Sequence, residues 1–304
     1  MPPRRRRDGD VVNGMLLLDK PSGLSSNQAL QKAKRLLNAQ KAGHTGSLDP
    51  IATGLLPLCF GQATKISGMF LNADKCYQVK IQLGVKTDSG DCEGTIIEQP
   101  EGNAALPALP QIEKALQQFR GRIEQIPPMY CALKRHGQPL YKLARQGIEV
   151  PRQPRWVTVY DLSIIDFQED FLTLIVSCSK GFYIRSLAMD LGQALGCGGH
   201  VHALRRVAVG AFTIDQAVTL EQLEALESPQ HRQRLLLPAD HALAHLPKVA
   251  LTAKTADYFC QGQPVRTLKP PKPGMARIYA EDNSFLGLGE VVADGTVSPK
   301  RLFV

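Results

Sequence analysis

From Tyr77 to Leu83 the chain alternates without a break: Tyr77, Val79, Ile81 and Leu83 on one side, Gln78, Lys80 and Gln82 on the other. Successive side chains of an extended strand point to opposite faces, so this run reads as a half-buried strand with Tyr77 on its inner face. Gly14-Met15-Leu16-Leu17-Leu18-Asp19-Lys20-Pro21 reads as a buried strand ending in a turn, and Phe171 to Cys178 and Arg206 to Ile214 as further strands. Helical spacing lies between them. Ser25 to Asn27 can cap a helix whose apolar face is Leu30, Ala33 and Leu37. Pro110 stands at a first helical position before Ile112, Ala115, Leu116 and Phe119, with Gly121 as the stop. Gly181 precedes a helix with Ile184, Leu187, Ala188 and Leu191 inside, and Thr219 starts another at a capping residue. The main body, with both strands and helices, is read as an α+β fold.

The helical pattern stops around Leu246-Pro247, and beyond it short alternating runs such as Met275 to Ala280 and Phe285 to Val292 predict a small β-rich unit. At 304 residues the chain has room for one large domain and this small one. The expected divisions are a disordered basic tail over 1–10, a main domain over 11–246 and a second domain over 247–304. Within the main domain, Pro127 through Pro154 is bounded by prolines and, with the residue that follows, carries Lys134, Arg135, His136, Lys142, Arg145, Arg152 and Arg155. An insertion at about 122–155 therefore reads as a mobile basic lobe.

The formal charge of +8 and pI near 9.1 favour a polyanionic partner, because cations that neutralise phosphates release condensed counterions. Half of the excess lies in Arg4 to Arg7, a run typical of a solvated arm. Seven cysteines without Cys-x-x-Cys spacing fit a reducing cytoplasm. The apolar stretch Met15 to Leu18 is far too short for a signal-peptide core or a membrane span.

Three positions carry candidate chemistry. Asp49 lies in the glycine-punctuated segment Gly43-His44-Thr45-Gly46-Ser47-Leu48-Asp49-Pro50, without metal-ligand spacing around it. An Asp before Pro is ordinary turn chemistry, but a lone carboxylate can also act as a nucleophile. Arg185 falls in the first turn of a helix, where the macrodipole disfavours a cation unless an anion compensates it; an exposed, solvated Arg is the plainer reading. Tyr77 is by default a core tyrosine, although its ring is also a surface on which an unstacked base can lie. His241 and His245 lack the Glu of a zinc protease motif, His200 and His202 lack a third ligand, and the glycine-rich 192–199 follows a helix rather than a strand. No metal or cofactor is implied.

The segment 43–50, with Ala52-Thr53-Gly54-Leu55-Leu56-Pro57 after it, closely resembles the catalytic motif of the bacterial tRNA pseudouridine-55 synthases, the TruB family of pseudouridine synthases. Ser179-Lys180-Gly181-Phe182-Tyr183-Ile184-Arg185-Ser186 and Lys75-Cys76-Tyr77-Gln78-Val79 resemble two further motifs of that family, and the likeness extends over nearly the whole chain from about Val12.

The resemblance implies a catalytic domain with a mixed, largely antiparallel sheet flanked by helices, and a PUA-like RNA-binding domain at the C-terminus. It implies isomerisation of a T-loop uridine, flipped out of the tRNA, to pseudouridine without a cofactor, by a protein expected to be a monomer. By the same resemblance Asp49 is the nucleophile, Arg185 orients it, and Tyr77 stacks on the base, with the proton at C5 leaving through Tyr77 or Asp49. His44 helps to extrude bases, Tyr183 and Leu204 contact the uracil, Lys20 supports the pocket, and Lys134, Arg145 and Arg205 bind RNA, although Arg205 and Arg206 are open to a structural as well as a phosphate-facing reading. Cys131 stands where the family usually has Ser, and Phe182 where a small polar residue is common. Two other activities compete: tRNA chaperoning with modification secondary, and hydrolysis that releases free base.

Overall fold

The computed structural model describes residues 9–99, 106–135, 137–267 and 270–303. Arg4 to Arg7 and His136 lie outside the described residues. A ten-stranded sheet forms the main body. Its order runs Val218–Thr219, Gly14–Lys20, Thr53–Phe60, Gly199–Val209, Lys75–Leu83, Phe171–Cys178, Arg155–Gln168, Gly121–Gln125. Two short strands, Ala42–His44 and Phe212–Thr213, pair at its margins. The Val218–Thr219 and Gly14–Lys20 pair is parallel, as is the central Thr53–Phe60 and Gly199–Val209 pair; the other pairings in this sheet are antiparallel.

The central parallel pairing has two register pairs, Arg205 with Thr53 and Arg206 with Gly54. The two halves of the sheet thus meet at a narrow joint, and the loop carrying Asp49 feeds directly into it. On one face the alternating residues Val79, Ile81 and Leu83 pack with Leu172, Leu174 and Val176 against helices Ser26–Leu36, Leu109–Leu116 and Ile184–Ala194. The opposite face near Met15, Leu17 and Leu55 is covered by Phe70, Leu243 and Leu288.

Helix Ser26–Leu36 begins at Ser25 with a reciprocal capping box to Gln28. Helix Ile184–Ala194 presses on the start of the next strand at Gly192, where an added Cβ would stand 2.2 Å from the Gly198 carbonyl carbon. That close approach fixes the helix, and with it Arg185, against the sheet.

Three expectations need correction. The strand expected over 206–214 begins at Gly199 and ends at Val209, where Gly210 (φ +56) turns the chain back as a short hairpin onto Phe212–Thr213. Helix Leu109–Leu116 starts one residue before Pro110, placing the proline second rather than first. The C-terminal unit is a five-stranded sheet, but it also contains helix Ala253–Cys260, capped by Thr252; its buried residues are Ala256 and Phe259, too few for the helical period to stand out. No helix among the described residues is long and apolar enough to cross a membrane.

Candidate active site

Asp49 sits on the loop between strands Ala42–His44 and Thr53–Phe60, and the fold holds that loop by its backbone. Ser26 Oγ accepts from the Leu48 N–H at 2.7 Å and donates to the Leu48 carbonyl at 3.0 Å, bracketing the residue before Asp49. Thr45 binds the Pro57 carbonyl through both its amide and its hydroxyl, and Ala52 N donates to the Asp49 carbonyl at 3.1 Å. Lys20, fully buried, donates to the carbonyls of Pro21, Leu24 and Pro50. Satisfied on both sides, the turn presents the Asp49 carboxylate as its free end.

That carboxylate meets Arg185, whose Nη2 lies 3.0 Å from Asp49 Oδ2. The guanidinium is buried and saturated: Nη1 lies 3.7 Å from Asp91 Oδ2 and donates to the Ser89 carbonyl, and Nη2 also donates to the Tyr130 carbonyl at 2.6 Å. Asp91 is itself buried and held by the Ser89 hydroxyl and the Glu93 amide. Loss of water around Asp49 raises its pKa; Arg185 works against that rise and Asp91 adds to it. The result is a carboxylate under tension between burial and a single strong counter-ion, with 41% of its side chain open to a cavity.

The cavity has a volume of about 600 Å³ and is lined by His44, Asp49, Tyr130, Cys131, Arg145 and Arg185 among others. This is ample space for a nucleotide. Tyr130, Cys131, Tyr141 and Arg145 come from the basic insertion, so the lobe forms one wall. Its base is tied to the Arg185 helix: Gln125 exchanges two hydrogen bonds with the Tyr183 backbone, and Ser186 Oγ donates to the Ile126 carbonyl. His44 Nδ1 is buried without a hydrogen-bond partner, and burial, followed by the charge of Arg206, lowers the ring's pKa, which favours a neutral imidazole. Among the described residues no group of three His, Cys, Asp or Glu side chains is placed to hold a metal ion.

Residues 34–184 match the N-terminal domain of the TruB family pseudouridylate synthases, residues 185–244 the tRNA pseudouridylate synthase B C-terminal domain, and residues 247–303 the pseudouridine synthase II TruB C-terminal domain. The chain is 52% identical over 302 residues to tRNA pseudouridine synthase B of Stutzerimonas stutzeri, covering 98% of this chain and 97% of that protein. It is 51% identical over 294 residues to the protein of the same description from Pseudomonas paraeruginosa, covering 96% of each. The chain belongs to the TruB family of pseudouridylate synthases. Among solved structures, a chain in the crystal structure of a Cbf5-Nop10-Gar1 complex superposes with a TM-score of 0.70 at 25% identity, over 97% of this chain and 86% of that one. A chain of an H/ACA RNP bound to a substrate RNA shares the fold at the same TM-score and 21% identity, over 99% of this chain and 92% of that one.

Set in this TruB-family framework, the expected site residues separate into groups. Asp49, Arg185, His44 and Arg145 line the cavity. Tyr77, Leu204, Tyr183 and Lys20 are not among the residues that line it. Tyr77 packs against the main core with its phenol pKa raised by burial, and Leu204 is buried beside it on the neighbouring strand. Tyr183 stands at the N-terminus of the Arg185 helix, where burial and the adjoining Cys131 thiol push its phenol far up. Lys20, grouped with the substrate-binding residues as a support of the pocket, has its ammonium enclosed and donates to three carbonyls, among them that of Pro50 next to Asp49. Arg205, expected either as a structural residue or to face phosphate, forms a two-point ion pair with Asp19 at 2.6 and 3.1 Å. Lys134 is exposed on the two-stranded tip of the lobe.

Sequence reasoning missed Asp91 and left Arg206 unassigned. Asp91 follows a short strand in a polar turn, where an acid is unremarkable. Arg206 adjoins another arginine, and only the strand register shows that it faces inward.

Proposed function

We propose that this chain is the tRNA pseudouridine synthase that isomerises the T-loop uridine at tRNA position 55, and the observation that carries the reading is the Asp49 carboxylate held by Arg185 at a nucleotide-sized cavity. The target uridine is flipped out of the RNA, at a cost of a few kcal/mol offset by stacking and phosphate contacts. His44, with an unpartnered ring nitrogen at the cavity, takes part in extruding the neighbouring bases. Asp49 is the nucleophile, and Arg185 keeps it ionised and aimed. The N1–C1′ glycosidic bond breaks, the uracil turns, a C5–C1′ bond forms, and the C5 proton leaves while N1 gains one, so product and substrate have the same composition. Tyr77 supports the base by stacking, Leu204 and Tyr183 complete the pocket as the lobe closes, and Lys134 and Arg145 neutralise phosphates. The protein acts as a monomer in the cytoplasm, and its C-terminal β-rich unit, 247–304, adds RNA contacts.

The test is tritium release from C5-labelled uridine in an unmodified tRNA transcript. Wild type releases tritium; Asp49→Asn does not, and neither enzyme acts on a transcript with cytidine at the target position. Release by Asp49→Asn would falsify the assignment of the nucleophile.

The exposed cations of the lobe favour a second activity, the opening and refolding of tRNA. It is separable if Asp49→Asn protein restores misfolded tRNA, and absent if neither protein does.

A further inference from the structure

Arg206 is 2% exposed, and among the described residues no carboxylate pairs with it. A buried guanidinium without a counter-ion is costly, and a core position with only a packing role would be filled better by an apolar side chain. Its donors go to three carbonyls: Nε to Leu55 at 2.8 Å, Nη2 to Gly46 at 3.2 Å and Nη1 to Ser47 at 3.4 Å. Directly opposite it in the strand ladder stands Tyr77, and the Arg206 charge counters the rise in that phenol's pKa.

The surrounding backbone is shaped to bring this about. Strand Gly199–Val209 touches Thr53–Phe60 at Arg206 and Gly54, where Gly54 has φ +100 and an added Cβ would stand 2.3 Å from the Arg206 carbonyl oxygen. Glycine there lets the two strands close, which sets the guanidinium beneath Gly46 and Ser47, the residues just before Leu48 and Asp49. A register shift immediately after Arg206 shows that the ladder is re-aimed at this point.

We propose that Arg206 is a positioning residue for the isomerisation: one planar cation ties the Asp49 turn to the strand position directly opposite Tyr77, so that the nucleophile and the ring that supports the base keep a fixed relation. This rests on the activity proposed above. The fork geometry is essential to it, because an ammonium carries the same charge on a single nitrogen and cannot reach three carbonyls that Nε, Nη1 and Nη2 bind separately.

The experiment compares wild type with Arg206→Lys, and with Arg206→Gln as the second variant should the lysine protein fail to fold. Single-turnover rates and tRNA Kd are measured on an unmodified transcript, with carbon-13 NMR of Cζ-labelled tyrosines, the Tyr77 signal being assigned by its loss in Tyr77→Phe. The expected result is a rate about 100-fold lower, as for the removal of a preorganised donor, with Kd within about threefold of wild type and a shift confined to the Tyr77 signal. An undiminished rate overturns the proposal, and so does a reduced rate with the Tyr77 signal unmoved. If folded wild type binds tRNA and forms no pseudouridine, the proposed activity itself fails, a result distinct from either.

Discussion

Arg185 reaches two carboxylates at once, Asp49 at 3.0 Å and Asp91 at 3.7 Å; both border the cavity, but the Asp49 side chain is 41% exposed and that of Asp91 only 7%. Asp91 is therefore a buried reference point for the guanidinium, and it also acts on Asp49 directly by raising its pKa.

Replacing Asp91 with Asn removes one of the influences that raise the Asp49 pKa. The acid limb of the pH–rate profile is expected to move to lower pH, while the plateau rate falls about tenfold because Arg185 loses a charged anchor. Single-turnover rates from pH 5 to 9 provide the check, and an unmoved acid limb would exclude the coupling.

Asp49 itself costs stability at neutral pH. Its folded pKa is raised, so the folded state holds the proton more tightly than the unfolded state, and the contribution to stability present below the ordinary carboxylate value is lost as pH rises through the folded pKa. Asp49→Asn escapes that loss. Its stability relative to wild type is expected to be greater at pH 7.5 than at acid pH, as calorimetry at both pH values will show.

Lys20 has the opposite sign. Burial lowers its pKa to about 8, so the unfolded chain binds the proton more tightly and stability rises with pH from about 8 towards the ordinary lysine value of 10.5. Lys20→Met lacks this slope, but it leaves three carbonyls without their donor and is expected to lose about 3 kcal/mol overall. Urea unfolding as a function of pH separates the two effects; a lysine-to-methionine protein as stable as wild type would contradict the buried-donor role.

The arginines and lysines of the surface are not equivalent. Lys134 is exposed and Arg145, over the Tyr141 ring at 5.7 Å, lines the cavity mouth, so alanine at either is expected to lower the salt dependence of tRNA binding by about one ion without changing Tm. Arg205→Ala is expected to leave that salt slope alone and to destabilise by about 1 kcal/mol through loss of the Asp19 pair. Filter binding across salt concentrations, with melting curves, distinguishes the two behaviours.

Local structure and the candidate chemistry were legible in the order of the residues. Strict alternation set strand Lys75–Leu83 and the inward side of Tyr77; Ser25 and Thr219 set helix starts; and the motif around Asp49, read with its resemblance to the TruB family, singled out Asp49 and Arg185. These signals are short-range, because period, capping and turn chemistry depend on residues a few positions apart. The tertiary structure alone decided which polar groups face one another across the chain. Arg185 and Asp91 stand far apart in the sequence, and Arg205 and Arg206, adjacent in it, have opposite fates because neighbouring residues of a strand point to opposite faces. One is bound to Asp19 at the rim, the other enclosed beneath the Asp49 turn. A cation reads the same in sequence whether it meets phosphate, carboxylate or carbonyl; the register at Gly54 and Tyr77 is what chose.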